Sequence, residues 1–153
     1  MSIAEKISSL GLSLPTAAAP VAAYVPAVKS GNLVFTAGQL PVVDSKLLKE
    51  GKVGRDVSAE EAKELSQICA LNALSAISLV VDLDQIERVV RVGGFVNCAP
   101  GFTAIPGVIN GASEFLIKIF GDVNGKHART AVGLAELPLN APVEVEVIVQ
   151  LKN

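Results

Sequence analysis

The chain has few of the residues that announce a specialised chemistry. It holds two cysteines, Cys69 and Cys98, and one histidine. There is no Cys-x-x-Cys pair, so neither a disulfide framework nor a zinc site has enough ligands, and both thiols are expected to pack as small apolar groups. Only 18% of the residues are charged, and the thirteen Lys and Arg are scattered among fifteen Asp and Glu with no two basic residues adjacent. With a pI near 5.4, no electrostatic footprint for a nucleic-acid backbone is visible. The uncharged run Ile68 to Val81 is broken by Asn72, Ser75 and Ser78, and it falls short of the ~20 residues needed to span a bilayer. Met1 to Leu14 carries Glu5 and Lys6 and lacks the pattern of a secretory leader, so a cytoplasmic protein is expected.

What is abundant is apolar: half of the 153 residues, with a mean hydropathy of +0.50. That is enough to build one core without staples, and it is high for a fully solvated monomer. A homo-oligomer is expected.

Pro15, Pro20 and Pro26 among alanines make Leu14 to Pro26 an extended arm. The expected organisation is therefore an N-terminal extension over 1–23 and a globular domain over 24–153. Tyr24–Lys29 and Leu33–Ala37 flank Ser30-Gly31-Asn32 as a hairpin. Leu47–Val53 reads as a weak strand around Glu50-Gly51. Ser58 with Glu61 three positions on forms a capping box, and Ala62, Leu65, Cys69, Ala73, Ala76 and Val80 continue one helical face. Ile86–Cys98 is a Val-rich central strand in which Gly93-Gly94 marks a bulge or a close backbone approach. Val108, Ala112, Phe115 and Ile119 have helical spacing, with Gly121 as cap.

The last two segments switch to period two. Val143, Val145, Val147, Val149 and Leu151 fill one face, and Glu144, Glu146, Ile148 and Gln150 the other. In the preceding strand Arg129 stands in a row of small neighbours, Ala131 and Gly133, which leaves room beside a guanidinium. Leu137–Pro142 is expected to close a wide hairpin. The order is an α+β pattern, a mixed sheet with two helices on one face.

Tyr24, Gly31-Asn32-Leu33-Val34-Phe35-Thr36-Ala37-Gly38-Gln39, His127-Ala128-Arg129-Thr130-Ala131-Val132-Gly133-Leu134-Ala135-Glu136-Leu137-Pro138 and Val143-Glu144-Val145-Glu146 together resemble the Rid/YjgF family (reactive intermediate deaminases, also called L-PSP endoribonuclease-like). The resemblance implies a chorismate-mutase-like fold with a six-stranded mixed sheet, and a homotrimer with a central barrel and ligand clefts between subunits. It also implies cofactor-free, metal-free hydrolysis of reactive 2-imino and 2-enamino acids to 2-keto acids and ammonia. By that resemblance Arg129 binds the substrate carboxylate, a task suited to its two-pronged donor geometry. Glu144 positions or deprotonates water, the Ala131 carbonyl is a second acceptor, Tyr24 closes the cleft, and Phe95 and Asn110 line it. Arg129 and Glu144 are expected to face one small-residue cleft. Ala37 stands where many members have serine and Ala131 where many have cysteine, and the Pro106–Lys126 stretch is longer, so the chain resembles a longer, less characterised branch. Two other functions stay open: a small-carboxylate-binding trimer without turnover, and an endoribonuclease or translation inhibitor.

His127 shares Arg129's side of the strand; Lys126 beside it suggests an exposed strand start, and it is left out of the expected site. Gly51-Lys52-Val53-Gly54 lacks the Gly-Lys-Ser/Thr end of a phosphate loop.

Overall fold

The computed structural model describes residues 1–17 and 23–153; part of the expected arm, including Pro20, lies outside the described residues. Helix α1 (Ile3–Ser9) opens the chain. Strands β1 (Ala27–Ser30) and β2 (Leu33–Thr36) form the hairpin around Gly31-Asn32, and β3 (Val42–Val43) and β4 (Lys46–Leu47) a second, short one. Then come α2 (Ala59–Ser78), β5 (Ile86–Asn97), α3 (Ile105–Gly125), β6 (Ala128–Leu134) and β7 (Val143–Leu151).

The main sheet has five strands in the order β1-β2-β7-β5-β6. It is mixed, because β6 runs parallel to β5 while the other pairs are antiparallel. Helices α2 and α3 pack against each other and cover one face. The core lies between them and the buried row Val143, Val145, Val147 and Val149, with Val34, Val92, Leu74, Phe115 and Ile119. The alternation read in the sequence is what buries that row and leaves Glu144, Glu146, Ile148 and Gln150 half-buried on the other face.

The expected fold needs correction in three respects. The sheet has five strands rather than six: Asp44 and Ser45 take positive φ and turn the chain into the two-residue β3–β4 hairpin, and of Leu47–Val53 only Val53 reaches the main sheet, through a single bridge to Cys98 just past the end of β5. There are three α-helices rather than two. The additional one, α1, has its own capping box, Ser2 with Glu5, and buries Ile3 and Ile7; its Lys6 Nζ donates to Ile119 O on α3 at 2.9 Å. Finally, the sheet is open, with β1 and β6 as its two edges, and is not closed into a barrel. Nor do β6 and β7 form a hairpin, since β5 lies between them. The β5 irregularities fall between Ile86 and Arg88 and between Val89 and Arg91, not at Gly93-Gly94, which instead permit close approach: a Cβ on Gly94 would lie 2.5 Å from Ile109.

Two contacts fix α3. At Gly111 the helix passes so near α2 that a Cβ would lie 1.9 Å from Lys63 O. There Ser66 Oγ donates to Val108 O at 2.7 Å and accepts from the Ala112 N–H at 3.0 Å. At the far end, Gly121 interrupts the helix with φ 80° and ψ 171°, a left-handed conformation open to glycine. The expected cap is thus a kink within α3.

Candidate functional site around Arg129

Arg129 lies on the edge strand β6, opposite the buried Val92 of β5, and its side chain therefore turns toward the helix layer. There it reaches α3. Nη1 donates to Asn110 Oδ1 at 2.9 Å and to Ser113 Oγ at 3.2 Å, and Nη2 to Pro106 O at 3.4 Å. All three acceptors are uncharged. Among the described residues no carboxylate lies within ion-pair distance of this half-buried guanidinium. A guanidinium has five N–H donors, so the three bonds leave Nε–H and one Nη2–H for another partner. Ala131, two residues along the same face, sits opposite Gly94, and the space left by the small residues of this row is taken up by α3, where a Cβ on Gly94 would meet Ile109 and one on Gly133 would meet Ile105.

Glu144 is in a different place. It pairs with Phe95 across β5–β7 on the face away from the helices, and its Oε1 occupies space left by Gly38, where a Cβ would fall 2.0 Å away. Burial raises its pKa above the ordinary carboxylate value, and the nearby Glu146 adds to the shift, because both effects disfavour the anion. Around it the open face carries exposed apolar side chains, Val28, Phe35, Val132 and Leu134.

The candidate residues thus form two groups. The fold brings Arg129 to Asn110 and Ala131, and Glu144 to Phe95. Within one chain the two groups occupy opposite faces of the sheet, so no single chain makes the cleft expected between Arg129 and Glu144. Tyr24, 48% exposed, stands before β1 at the far edge of the sheet from β6.

Two partners of Arg129, and one residue behind them, lie outside the expected site. Ser113 and the Pro106 carbonyl carry no sequence signal of their own, although Asn110 and Ser113 have the i,i+3 spacing that aligns side chains on a helix. His127, expected at an exposed strand start, is half-buried; its Nε2 lies 3.0 Å from Ser113 Oγ and its Nδ1 2.6 Å from Gly125 O. Burial lowers its pKa below 6.5, and Arg129 pushes the same way, against the Gly125 hydrogen bond. Among the described residues no three His, Cys, Asp or Glu side chains gather as a metal site, and no helix is long and apolar enough to cross a membrane.

The model of the YjgF/chorismate mutase-like family matches residues 4–151. The chain belongs to this family. The Trypanosoma cruzi protein TCP17 is 41% identical over 152 residues, covering 99% of this chain and 95% of that protein. A 2-iminobutanoate/2-iminopropanoate deaminase from Dermatophagoides farinae is 31% identical over 144 residues, covering 92% and 95%. The crystal structure of Atu1372 from Agrobacterium tumefaciens, a protein of unknown function, superimposes with a TM-score of 0.88 at 42% identity and covers 98% of this chain and 92% of its own.

The family association is with enzymes that act on reactive carboxylate intermediates, through the mite deaminase.

Proposed function

We propose that the protein hydrolyses small 2-imino and 2-enamino acids to 2-keto acids and ammonia, in the cytoplasm, at sites shared between the copies of a homotrimer. One observation carries this reading: a half-buried guanidinium held by three neutral acceptors, with two N–H donors left for a carboxylate. A charge-assisted contact of this kind contributes about 1.5–3 kcal/mol, enough to hold a small anion in register.

An imine carbon is already electrophilic, so the remaining requirements are a positioned water and a proton route. Glu144 suits that role, because a carboxyl with a raised pKa is a better base than an ordinary one. The water adds its oxygen to the imine carbon while one of its protons passes through Glu144 to the nitrogen. The resulting hydroxyl then gives up its remaining proton by the same route to the amine, the carbon–oxygen double bond of the keto acid forms, and the carbon–nitrogen bond breaks as ammonia leaves. The Ala131 carbonyl offers a second acceptor near the carboxylate end. Since Arg129 and Glu144 of one chain face apart, Glu144 comes from a neighbouring copy, and the exposed apolar residues beside it form the contact. Tyr24 from a neighbour closes the cleft, with Phe95 and Asn110 lining it.

The test is competition for a short-lived imine. An amino-acid oxidase generates imines from small and bulky amino acids while semicarbazide traps them; the wild type should lower semicarbazone and yield keto acid, and Arg129→Ala should not. No diversion of any imine by the folded oligomer overturns the reading. Carboxylate binding without turnover would indicate a binding protein instead, and RNA binding with a steep salt dependence would indicate the nucleic-acid reading that the acidic pI disfavours.

A further inference from the structure

The hydrogen-bond chain at Arg129 does not end at Ser113. It continues through His127 to the last residue of α3, and with a neutral ring each link has one direction. The Gly125 carbonyl can only accept, so the His127 Nδ1 that lies 2.6 Å away carries the proton. Nε2 of the neutral ring then presents a lone pair 3.0 Å from Ser113 Oγ, and Ser113 is the donor. With its one proton committed to His127, Ser113 Oγ turns its lone pairs to Arg129 Nη1 at 3.2 Å. Both protons of Nη1 are thereby taken, one by Asn110 and one by Ser113, which fixes the plane of the guanidinium. The direction in which Nε–H and the free Nη2–H point follows from that plane.

We propose that His127, acting through Ser113, is a positioning residue that sets how Arg129 presents its two uncommitted N–H groups to a carboxylate. The inference rests on the reading of Arg129 as the carboxylate holder and extends it to two residues that do not touch the substrate. Neutrality of the ring is part of the device, because an imidazolium would make Nε2 a donor and strand the Ser113 proton. The surroundings keep it neutral. No free carboxylate faces it among the described residues: Arg129 of β6 is the neighbouring charge, Arg88 of β5 lies across a shared cavity, and the α3 carboxylates Glu114 and Asp122 are paired with Lys63 and Lys126. Burial depresses the ring's pKa and Arg129 adds to this, against the hydrogen bond to Gly125.

The experiment is NMR at pH 7.5 on arginine- and histidine-labelled protein, with pyruvate as the carboxylate probe; the single histidine makes its signals unambiguous. The wild type should show the Nδ1–H tautomer and separate, slowly exchanging Arg129 Nη resonances. Ser113→Ala and His127→Phe should average those resonances and weaken pyruvate binding roughly three- to tenfold, the size of one lost hydrogen bond. His127→Gln, which returns an acceptor toward Ser113, should restore both. Arg129→Ala should abolish binding. Unchanged Nη signals and affinity in folded Ser113→Ala and His127→Phe overturn the positioning role while leaving Arg129's own role intact. A wild type that binds no pyruvate, yet whose guanidinium is locked only when His127 is present, refutes the carboxylate reading and supports the positioning.

Discussion

Replacing Gly111 by alanine should damage both the fold and the site, for one geometric reason. A Cβ at this position would lie 1.9 Å from Lys63 O and 2.4 Å from Ser66 Oγ, about 1.4 Å inside an ordinary carbon–oxygen separation of ~3.3 Å. The carbonyl belongs to helix backbone, which cannot swing aside, so α3 must move off α2. That strains the packed core and the Ser66 hydrogen bonds to Val108 and Ala112, and the combined cost is about 2–4 kcal/mol. For a domain of this length Tm should fall by roughly 5–15 °C. Because Asn110 and Ser113 flank Gly111 on the same helix, the acceptors of Arg129 move with it, and pyruvate affinity should fall as well. Gly107→Ala on the same helix is the control: nothing lies within 4 Å of its Cβ, and the change should stabilise by about 0.4–1 kcal/mol. Thermal melts and pyruvate titrations of both variants read the outcome. Equal Tm values for Gly111→Ala and the wild type would refute the argument that contact at this glycine sets the helix spacing.

Glu144→Gln should cut imine hydrolysis by about 10²–10⁴-fold, the usual contribution of a general base, and the oxidase-coupled assay measures it. The same variant should not lower stability at pH 7. The folded state raises the Glu144 pKa above 4.5 and so binds that proton more tightly than the unfolded chain. The stability this contributes is present below pH 4.5 and is lost as pH rises through the folded value; a Tm difference favouring Glu144→Gln should therefore open between pH 4 and pH 7. Gly38→Ala places a methyl on Glu144 Oε1 and should impair turnover while far-UV circular dichroism stays unchanged, since the carboxyl can swing aside. For His127 the folded pKa is depressed, so the unfolded chain takes up the proton first and stability declines as pH falls below 6.5. His127→Phe should flatten that part of the Tm–pH curve.

Much of the fold is local and was therefore legible. Gly31-Asn32 between two β-prone runs makes a hairpin, Ser58 and Glu61 cap α2, and the Val143–Leu151 alternation identifies both faces of β7. The arrangement of β6 was not legible: alternation tells which residues share a face but not which strands are neighbours, and β7 inserts between β2 and β5 rather than folding back on β6. The same limit explains the site. Arg129 and Glu144 were each read correctly as alternating with their own neighbours, but relating their faces requires the register Val92↔Arg129 and Phe95↔Glu144. Helix α1 is a different case: its Ser2–Glu5 capping box is local, but seven residues are too few for a helix to stand without the tertiary burial of Ile3 and Ile7. His127 beside Lys126 looked solvent-exposed because nothing in the chain order shows that Ser113 packs over it.

The division of Arg129 and Glu144 between two faces leads to the most direct measurement, which is to mix two inactive chains. Arg129→Ala and Glu144→Ala chains, unfolded together and refolded in equal amounts, should regain about one quarter of wild-type activity, since a site that draws one residue from each of two copies in a symmetric oligomer is intact in that fraction of random pairings. Each variant refolded alone should stay inactive. Mixed oligomers with no recovered activity, beside an active refolded wild type, would contradict a site shared between chains.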